Sequence, residues 1–301
     1  MKTIFTTTSY NHLSDGLLSQ GVAFSKGEVE VKRFPDGEVY HRILTKVDGA
    51  DVVLIGGTVS DTETIELFDL ACGLVKQGAL SLTMVIPFMG YSTMERAVKP
   101  GEIVKAKTRA MLLSAIPTAP MGNRAMFFDL HSEGIPHYFS ESIRPVHVYC
   151  KQIVLQAAQE LYGNNFVLAS TDAGRAKWVE SLANEAGVSA AFVYKRRLSG
   201  TETQVTAISA DVKDKNVVIY DDMIRTGGSL ISAAKSYQAA GAKEISVVTT
   251  HGLFTNNALA KIEESGIIKH VICTDSHPNT LLEYNPFLKV KSIAGLIAEH
   301  I

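Results

Sequence analysis

Two adjacent carboxylates and a short glycine-containing run lie close together between residues 217 and 229. Asp221 and Asp222 follow the apolar residues 217–219, and the run Thr-Gly-Gly-Ser at 226–229 leads into a helical pattern. Backbone N–H groups at a glycine-rich helix start bind anions, and a Cβ there would obstruct them. Carboxylates accept hydrogen bonds from sugar hydroxyls. The segment therefore predicts a ribose 5-phosphate site formed by Asp221, Asp222, Arg225, Thr226, Gly227, Gly228 and Ser229.

The alternative for this segment is an ordinary strand-to-helix turn whose two aspartates are solvated surface. Ligands of open α/β sheets bind beyond the carboxyl ends of the strands, and the two acids and the glycine run both stand at such an end, which favours the binding site. The sequence has neither a Walker A run nor G-x-G-x-x-G. Their absence disfavours the P-loop and dinucleotide-binding classes.

Four other segments contain residues of types that bind ligands or take part in catalysis. Residues 34–38, Phe-Pro-Asp-Gly-Glu, form a good turn by composition. Asp129 and His131 stand two residues apart after an apolar strand pattern, so we expect both side chains on one face. Asp172 follows another apolar run, and three adjacent cations occupy 195–197. Taken alone, the turn, the histidine and the cationic run are more often structural or solvated features.

The composition bounds the class of protein. The chain has 301 residues, 46% apolar and 20% charged, which is typical of a packed globular protein large enough for two domains. A formal net charge of −2 excludes a global basic field for nucleic-acid binding. The three cysteines are widely spaced and predict reduced core residues. Because no apolar stretch is long enough for a signal or a membrane span, we expect a cytoplasmic protein.

Short β-branched runs alternate with helical patterns, which predicts parallel sheets covered by helices. In one helical pattern Ser60 and Glu63 form a capping box and Gly78 supplies the stop. The residues expected on its apolar face are Ile65, Phe68, Cys72 and Val75. The predicted strands are Asp51–Ile55, Thr83–Pro87, Phe166–Ser170, Ala190–Tyr194, Asn216–Tyr220 and Ile245–Thr250.

The strand-helix-strand pattern recurs in the second half of the chain, with a helix predicted over about 174–186. Between the halves lies a stretch of mixed polarity with two prolines, 134–146, followed by a helical pattern over about 147–162. These features predict two similar domains, residues 1–145 and 146–301.

The segment 217–229 resembles the phosphoribosyl-binding loop shared by type I phosphoribosyltransferases and ribose-phosphate diphosphokinases (phosphoribosyl diphosphate, or PRPP, synthetases). The segments 34–38, 127–139, 168–183 and 193–204 resemble segments of the PRPP synthetases, and 295–301 is similar to their closing helix. The resemblance covers almost the full length. It implies an α/β fold with two similar domains of the type I phosphoribosyltransferase kind, each a mainly parallel sheet flanked by helices.

The resemblance also implies roles for individual residues. Lys195 and Arg197 are implied to be catalytic, closing over the triphosphate of the donor. His131 and Asp172 are implied to be ligands of a Mg²⁺ ion that bridges ATP phosphates. Family members form dimers that often build hexamers. The implied ATP-binding residues are Phe34, Asp36, Glu38, Arg96 and His131.

The sequence departs from the family at positions with implied roles. Thr93 and Met94 stand where the family carries an arginine and a glutamine that contact the nucleotide. Losing one bidentate cation beside a polyphosphate costs about 1.5 to 3 kcal/mol. Either Arg96 or Lys99 compensates, or the nucleotide preference has shifted. At the phosphate loop, Arg225 replaces an acidic or small residue, and Thr171 stands where a proline is usual.

The implied reaction is transfer of a diphosphoryl group from Mg-ATP to the anomeric hydroxyl of ribose 5-phosphate, giving PRPP and AMP. Thr93 and Met94 motivate an alternative, a non-catalytic regulatory subunit of the same fold. A phosphoribosyltransferase that consumes PRPP is a third interpretation. It leaves residues 1–145 unexplained, because such enzymes typically consist of one domain of this kind with a small hood.

Overall fold

The computed structural model describes residues 2–197, 203–282 and 285–301, with the side chains of 194–197 and 203–207 outside the description. It divides into two compact units, Met1–Tyr149 with Ser292–Ile301, and Cys150–Lys291. The sequence-based division lies near the first of these boundaries. The C-terminal segment belongs to the first unit, where the sequence-based division placed it in the second.

The first unit is built on a parallel sheet of six strands in the order β2-β1-β5-β6-β7-β8. The remaining strands, β3 and β4, form an antiparallel hairpin in which Val31 pairs with His41. The strands are β1 Lys2–Thr6, β2 Phe24–Lys26, β3 Val29–Arg33, β4 Val39–Ile43, β5 Asp51–Ile55, β6 Ser81–Ile86, β7 Asn123–Phe128 and β8 Ile143–Val148.

Helices cover this sheet and bury an apolar core that includes Leu54, Leu67 and Met84. The helices are α1 Asn11–Ser19, α2 Asp61–Lys76, α3 Lys105–Ser114 and the C-terminal helix Ala294–Ala298, with single 3₁₀ turns at Thr8–Tyr10 and Ile135–Tyr138.

Helix α2 begins and ends as its sequence predicts, except for one half of the capping box. The Ser60 side chain accepts the N–H of Glu63 at 3.2 Å, but the Glu63 carboxylate accepts from the Ser9 hydroxyl instead of capping Ser60. At the other end, Gly78 has φ +92°, and the N–H of Ala79 returns to the carbonyl of Leu74. This bond closes the helix in a Schellman arrangement.

The predicted apolar face of α2 is wrong for Ile65, which is 47% exposed. The helix has two neighbouring apolar stripes, and only one of them faces the sheet. The other is partly covered by the hairpin, where Ile43 packs closely over Gly73. The most deeply buried stripe is Thr64, Leu67, Ala71 and Leu74.

Strand β8 corrects the prediction for the stretch between the halves. Ile143–Val148 pairs in parallel with β7, and the helix predicted from about 147 begins at Lys151. Pro145 and its mixed-polarity neighbours indicated a break between domains. Because β8 is the edge strand of the sheet, a proline is tolerated there.

The second unit has a seven-stranded sheet in the order β11-β10-β9-β12-β13-β14-β15, parallel except for the β10–β11 pair. Its strands are β9 Val167–Ser170, β10 Ser189–Arg197, β11 Thr203–Ile208, β12 Asn216–Ile224, β13 Glu244–Gly252, β14 Ile268–Thr274 and β15 Leu288–Lys291. Its helices are α4 Lys151–Tyr162, α5 Ala176–Ala186, α6 Gly228–Ala239, α7 Ala258–Glu264 and α8 Asn279–Leu282, with 3₁₀ turns at Ala173–Arg175 and Thr255–Asn257.

All six predicted strands are present, and β5 has the predicted bounds. Strand β12 continues past its predicted end at Tyr220 to Ile224, so that it includes both aspartates of the candidate loop. Within the described ranges, no helix has the length and apolar character needed to cross a bilayer.

Candidate active site

The candidate phosphate loop lies at a crevice where the strand order of the second sheet reverses. Strands β9 and β12 are parallel neighbours, with Tyr220 opposite Ser170. The chain leaves β9 toward β10 on one side and leaves β12 toward β13 on the other. The segments that follow β9 and β12 therefore diverge at the carboxyl edge, which is where open α/β sheets bind ligands.

Aromatic side chains of the covering helices hold the ends of β9 and β12. The ring of Trp178 stacks on Tyr220 with centroids 4.3 Å apart. The hydroxyl of Tyr237 on α6 donates to the carbonyls of Ser170 and Ala191 at 2.8 and 3.3 Å. These contacts fix the strand ends that carry the polar side chains of the crevice.

The two aspartates at the end of β12 have different surroundings. The Asp222 side chain is 2% exposed, and its Oδ2 lies 2.9 Å from Nη2 of Arg175. Asp221 is half-buried, and its Oδ2 accepts a hydrogen bond from the Thr171 hydroxyl at 3.2 Å. Both carboxylates are therefore tied to the turn that follows β9.

The pKa of Asp221 is raised well above its ordinary value. Loss of hydration is the main cause, and the negative charge of neighbouring Asp222 adds to it. Arg175 and the Thr171 hydroxyl oppose the shift without cancelling it. In the ligand-free protein Asp221 therefore retains its proton to a higher pH than an ordinary carboxyl does.

The loop from Arg225 to Gly227 is shaped so that its amides remain available. The Arg225 carbonyl accepts both the N–H and the hydroxyl of Thr255, at 2.8 and 3.0 Å. Gly227 has φ +78°, and a Cβ there would lie 3.1 Å from Ile262. Only glycine adopts this conformation without strain. Helix α6 then begins at Gly228 without a side-chain cap.

This geometry leaves a cluster of donors in the described part of the loop. The backbone N–H groups of residues 226–229 have no acceptor among the described residues, and neither have the exposed hydroxyls of Thr226 and Ser229. An ideal Cβ at Gly228 would meet no heavy atom within 4 Å. Open space bordered by amides and hydroxyls at a helix start is suited to a phosphate.

Asp172, the implied metal ligand in the second unit, is an exposed side chain. Its Oδ1 accepts the N–H of Gly174 at 2.8 Å, and its other oxygen has no partner among the described residues. In the ranges that the structure describes, no three His, Cys, Asp or Glu side chains are grouped to hold a metal. A single accessible carboxylate fits Mg²⁺, which keeps several waters and takes further oxygens from phosphates.

In the first unit, Phe34, Asp36 and Glu38 lie at the tip of the β3–β4 hairpin. All three are exposed, and Phe34 is 47% exposed. The tip is closed by backbone bonds from Phe34 to Glu38 and from Gly37 to Phe34, and the Asp36 carboxylate accepts the Glu38 N–H at 3.1 Å. The hairpin thus presents an aromatic ring and two acids to the outside of its unit.

Asp129 and His131 do not share a face, which corrects the prediction from strand alternation. Strand β7 ends at Phe128, and Asp129 has φ +36°. Because this left-handed conformation breaks the alternation, Asp129 is 3% exposed while His131 is exposed. The N–H of the intervening Leu130 donates to Nε2 of His147.

The other predicted site residues are three cations, Arg96, Lys195 and Arg197. The Arg96 side chain is 79% exposed, with its Nε 3.4 Å from a Glu95 carboxylate oxygen. Lys195 and Arg197 lie in β10, paired with Val205 and Thr203 of β11, and their side chains are outside the described part of the structure.

Two groups of polar residues were missed by the sequence analysis. The first is Arg175, three residues after Asp172. A cation at this position indicated that one of the nearby acids could have an ion-pair partner. The second group surrounds Tyr91 in the loop after β6. The Tyr91 hydroxyl donates to the Asp61 carboxylate, which also accepts a hydrogen bond from Arg109 at 2.5 Å. No spacing rule links these residues, since they come from three separate segments.

Comparisons with known proteins identify the family. The family model for the N-terminal domain of ribose phosphate pyrophosphokinase matches residues 2–116. The model for the phosphoribosyl synthetase-associated domain matches residues 172–301. Ribose-phosphate pyrophosphokinase of Campylobacter jejuni is 31% identical over 94% of this chain and 90% of its own length. The chain belongs to the ribose-phosphate pyrophosphokinase family.

Other members of the ribose-phosphate pyrophosphokinase family show the same extent of similarity. The enzyme of Thermococcus kodakarensis is 32% identical over 84% of this chain and 87% of its own length. The crystal structure of phosphoribosylpyrophosphate synthetase from Mycobacterium smegmatis superposes with a TM-score of 0.86 and 27% identity, covering 99% of this chain and 96% of that one. The predicted family and the two-domain α/β fold are confirmed.

Proposed function

We propose that this chain is an active ribose-phosphate pyrophosphokinase that transfers the diphosphoryl group of ATP to ribose 5-phosphate. The observation that carries the proposal is the crevice between β9 and β12. There the unsatisfied amides of residues 226–229 stand beside Asp221 and Asp222, in a chain that belongs to the family along nearly its whole length. Phosphate on the amides and ribose hydroxyls on the acids match the two ends of one substrate.

The reaction exchanges one P–O bond for another. The anomeric oxygen of ribose 5-phosphate forms a bond to the β-phosphorus of ATP, and the bond between this phosphorus and the bridging oxygen of the α-phosphate breaks. AMP leaves with that oxygen, and the proton of the anomeric hydroxyl is released. Because phosphoryl transfer depends mainly on alignment and charge neutralisation, the contribution of the loop is to hold the acceptor sugar in place.

The second unit supplies the binding groups for the acceptor. Thr226, Ser229 and the backbone at Gly227 and Gly228 are proposed to hold the 5-phosphate. Asp221 is proposed to accept a ribose hydroxyl directly. Asp222, buried beside Arg175, adds fixed negative charge and a second acceptor at the same strand end. The exposed Arg225 is proposed to contact the same phosphate.

The first unit supplies the proposed donor site. Arg96 and His131 follow β6 and β7, and Phe34, Asp36 and Glu38 are at the hairpin tip. A Mg²⁺ ion is proposed as the metal, with His131 and Asp172 as its protein ligands; when bound, it would neutralise charge on the donor phosphates. Lys195 and Arg197 are proposed to stabilise the charge of the transferring group.

Thr93 and Met94 favour a second candidate, a non-catalytic subunit with the same fold, because they remove two nucleotide-contacting side chains of the family. The binding groups of the second unit argue against it. A subunit without substrate has no physical need for open amides beside a carboxylate whose pKa is raised by its surroundings.

One assay separates these candidates. Purified protein is supplied with ribose 5-phosphate, Mg²⁺ and ATP, and AMP and PRPP are quantified together. We expect equal amounts of both products and their loss in Asp221→Ala. Glu264→Ala is the matched control and keeps activity, because Glu264 is an exposed acid of helix α7. Absence of both products with ATP and with other nucleoside triphosphates would leave the non-catalytic candidate.

The assembly and the location are proposals that rest on the family resemblance and on the sequence. We propose a homo-oligomer built from dimers and a cytoplasmic location. Sedimentation of the purified protein tests the first, since a monomer at assay concentrations contradicts it.

A further inference from the structure

The loop that follows β6 carries a cationic cluster around one tyrosine ring. The Lys105 ammonium lies 4.9 Å from the ring centroid of Tyr91, and the Arg109 guanidinium lies 4.6 Å from it. The Tyr91 hydroxyl donates to Asp61 at 2.7 Å. Tyr91 itself has φ +60°, an uncommon conformation for a residue with a side chain. The surroundings of Tyr91 therefore hold an otherwise disfavoured loop geometry.

The two cations of the cluster differ in whether they form an ion pair with a carboxylate. Arg109 is paired with Asp61, and its side chain is 20% exposed. Lys105 is half-buried and forms no ion pair among the described residues. Its charge acts on Asp61, but that carboxylate is already paired with Arg109. The ring holds the Lys105 ammonium in place by a cation–π contact but does not neutralise it. Lys105 is thus a positioned cation whose charge is still available.

Lys105 lies next to two of the residues at which this chain departs from its family, Thr93 and Met94. The N–H of Met94 donates to the Tyr91 carbonyl at 2.9 Å, and the N–H of Ala106 donates to the Met94 carbonyl at 3.3 Å. The start of α3 is therefore hydrogen-bonded to the loop segment that contains Thr93 and Met94. Helix preference does not explain the lysine, because a cation at the first helical position opposes the helix dipole.

Neither of the two cations expected to compensate for Thr93 is held in this way. Arg96 is 79% exposed and turned to Glu95. Lys99 is exposed, and its N–H, not its ammonium, contacts Glu102. A side chain that moves freely in water loses more entropy on binding a phosphate than one already held against a ring.

We infer that Lys105 is the phosphate-binding cation of the donor site, replacing the arginine that the family carries at the position of Thr93. Tyr91 and the Asp61–Arg109 pair are positioning residues that hold Lys105 over the loop. The inference rests on the proposed function for its choice of ligand, a nucleoside triphosphate.

Direct binding tests the inference without any turnover. The full-length protein is titrated with Mg²⁺ and α,β-methylene-ATP, an analogue that cannot release its diphosphoryl group. Lys105→Met removes the charge and keeps the stem on the ring, and Lys105→Arg keeps a cation. Lys107→Met is the matched control, because Lys107 is an exposed lysine of the same helix.

We expect Lys105→Met to weaken analogue binding by about tenfold to a hundredfold, with binding of ribose 5-phosphate and the unfolding temperature unchanged. Lys105→Arg retains most of the affinity, and Lys107→Met binds like the wild type. Analogue affinity in Lys105→Met within about twofold of wild type would overturn the inference. So would a wild-type protein that binds no analogue.

Failure of the proposed function gives a different result. A wild-type protein that binds the analogue but forms no PRPP from ATP would refute diphosphoryl transfer, while the Lys105 comparison would still decide the role of this residue.

Discussion

Arg175 and Asp222 form an ion pair with 2.9 Å between Nη2 and Oδ2, and the Asp222 side chain is 2% exposed. The pair connects the turn after β9 to the end of β12, the two segments that border the candidate crevice. A carboxylate buried to this extent requires a partner to remain charged. Arg175 therefore gives the buried Asp222 carboxyl group a cationic partner and links the two strand ends.

Removing the guanidinium should destabilise the protein. We expect Arg175→Met to lower the free energy of unfolding by about 3–5 kcal/mol, because Asp222 is left buried without its partner. Adding Asp222→Asn should restore a large part of this loss, since the uncompensated charge is gone. Urea unfolding of the single and double variants measures both effects.

Lys151→Met is the matched control for this prediction. The Lys151–Glu185 pair has the same 2.9 Å separation, but both side chains are nearly half exposed. Such a pair contributes about 0.2–1 kcal/mol. If Arg175→Met cost no more than Lys151→Met, Arg175 would have no special role at the crevice.

The raised pKa of Asp221 predicts a pH-dependent effect of Asp221→Asn on stability. The folded protein binds this proton more tightly than the unfolded chain does, so the stabilisation is present in acid and is lost as the pH rises through the raised pKa. Asn removes the buried charge that forms at high pH. We expect the free energy of unfolding of Asp221→Asn, relative to wild type, to increase from about pH 5 to about pH 9.

Urea unfolding of both proteins across this pH range gives the difference directly. A difference that does not change with pH would show that Asp221 has an ordinary pKa in the folded protein.

Gly227 and Gly228 should respond differently to alanine. Gly228→Ala should fold normally, because its Cβ meets nothing within 4 Å, yet it should weaken ribose 5-phosphate binding by at least about tenfold by filling the space of the phosphate. Gly227→Ala should instead lose stability, by about 1–3 kcal/mol, owing to its positive φ.

Thermal unfolding and calorimetric titration of both variants separate the two effects. Wild-type affinity in Gly228→Ala would mean that the phosphate binds elsewhere.

The sequence predicted the strand and the helix start on either side of the candidate loop, because short-range patterns determine both. The apolar run before Asp221 and the glycine run before α6 fix a strand and a helix start, and the loop between them follows from local geometry. The contact of Arg175 with Asp222 depends on the pairing of β9 with β12, strands separated by β10 and β11 along the chain. No pattern of sequence spacing encodes that pairing.

Two predictions were wrong because they depended on the whole sheet and not on the local sequence. Pro145 indicated a break between domains, but an edge strand accepts a proline, and edge position is a property of the whole sheet. Alternation was expected to carry Asp129 and His131 to one face, but β7 ends at Phe128. Where a strand ends depends on its neighbours as well as on its own residues.

Lys195 and Arg197 give a kinetic prediction that depends on the sequence and the family. Lys195→Ala and Arg197→Ala should each reduce turnover by at least about a hundredfold while ribose 5-phosphate still binds, since cations at a transferring phosphoryl group act mainly in the transition state. Lys235→Ala is the matched control, because Lys235 is an exposed lysine of helix α6. Near-normal turnover in both variants would remove these residues from the mechanism.

The most direct test is calorimetric titration of the purified protein with ribose 5-phosphate in the presence of Mg²⁺. We expect binding of one molecule per chain with a dissociation constant below about 1 mM, weakened in both Gly228→Ala and Asp221→Ala. Absence of binding at millimolar concentrations, or equal binding by wild type and both variants, would contradict a sugar-phosphate site between β9 and β12.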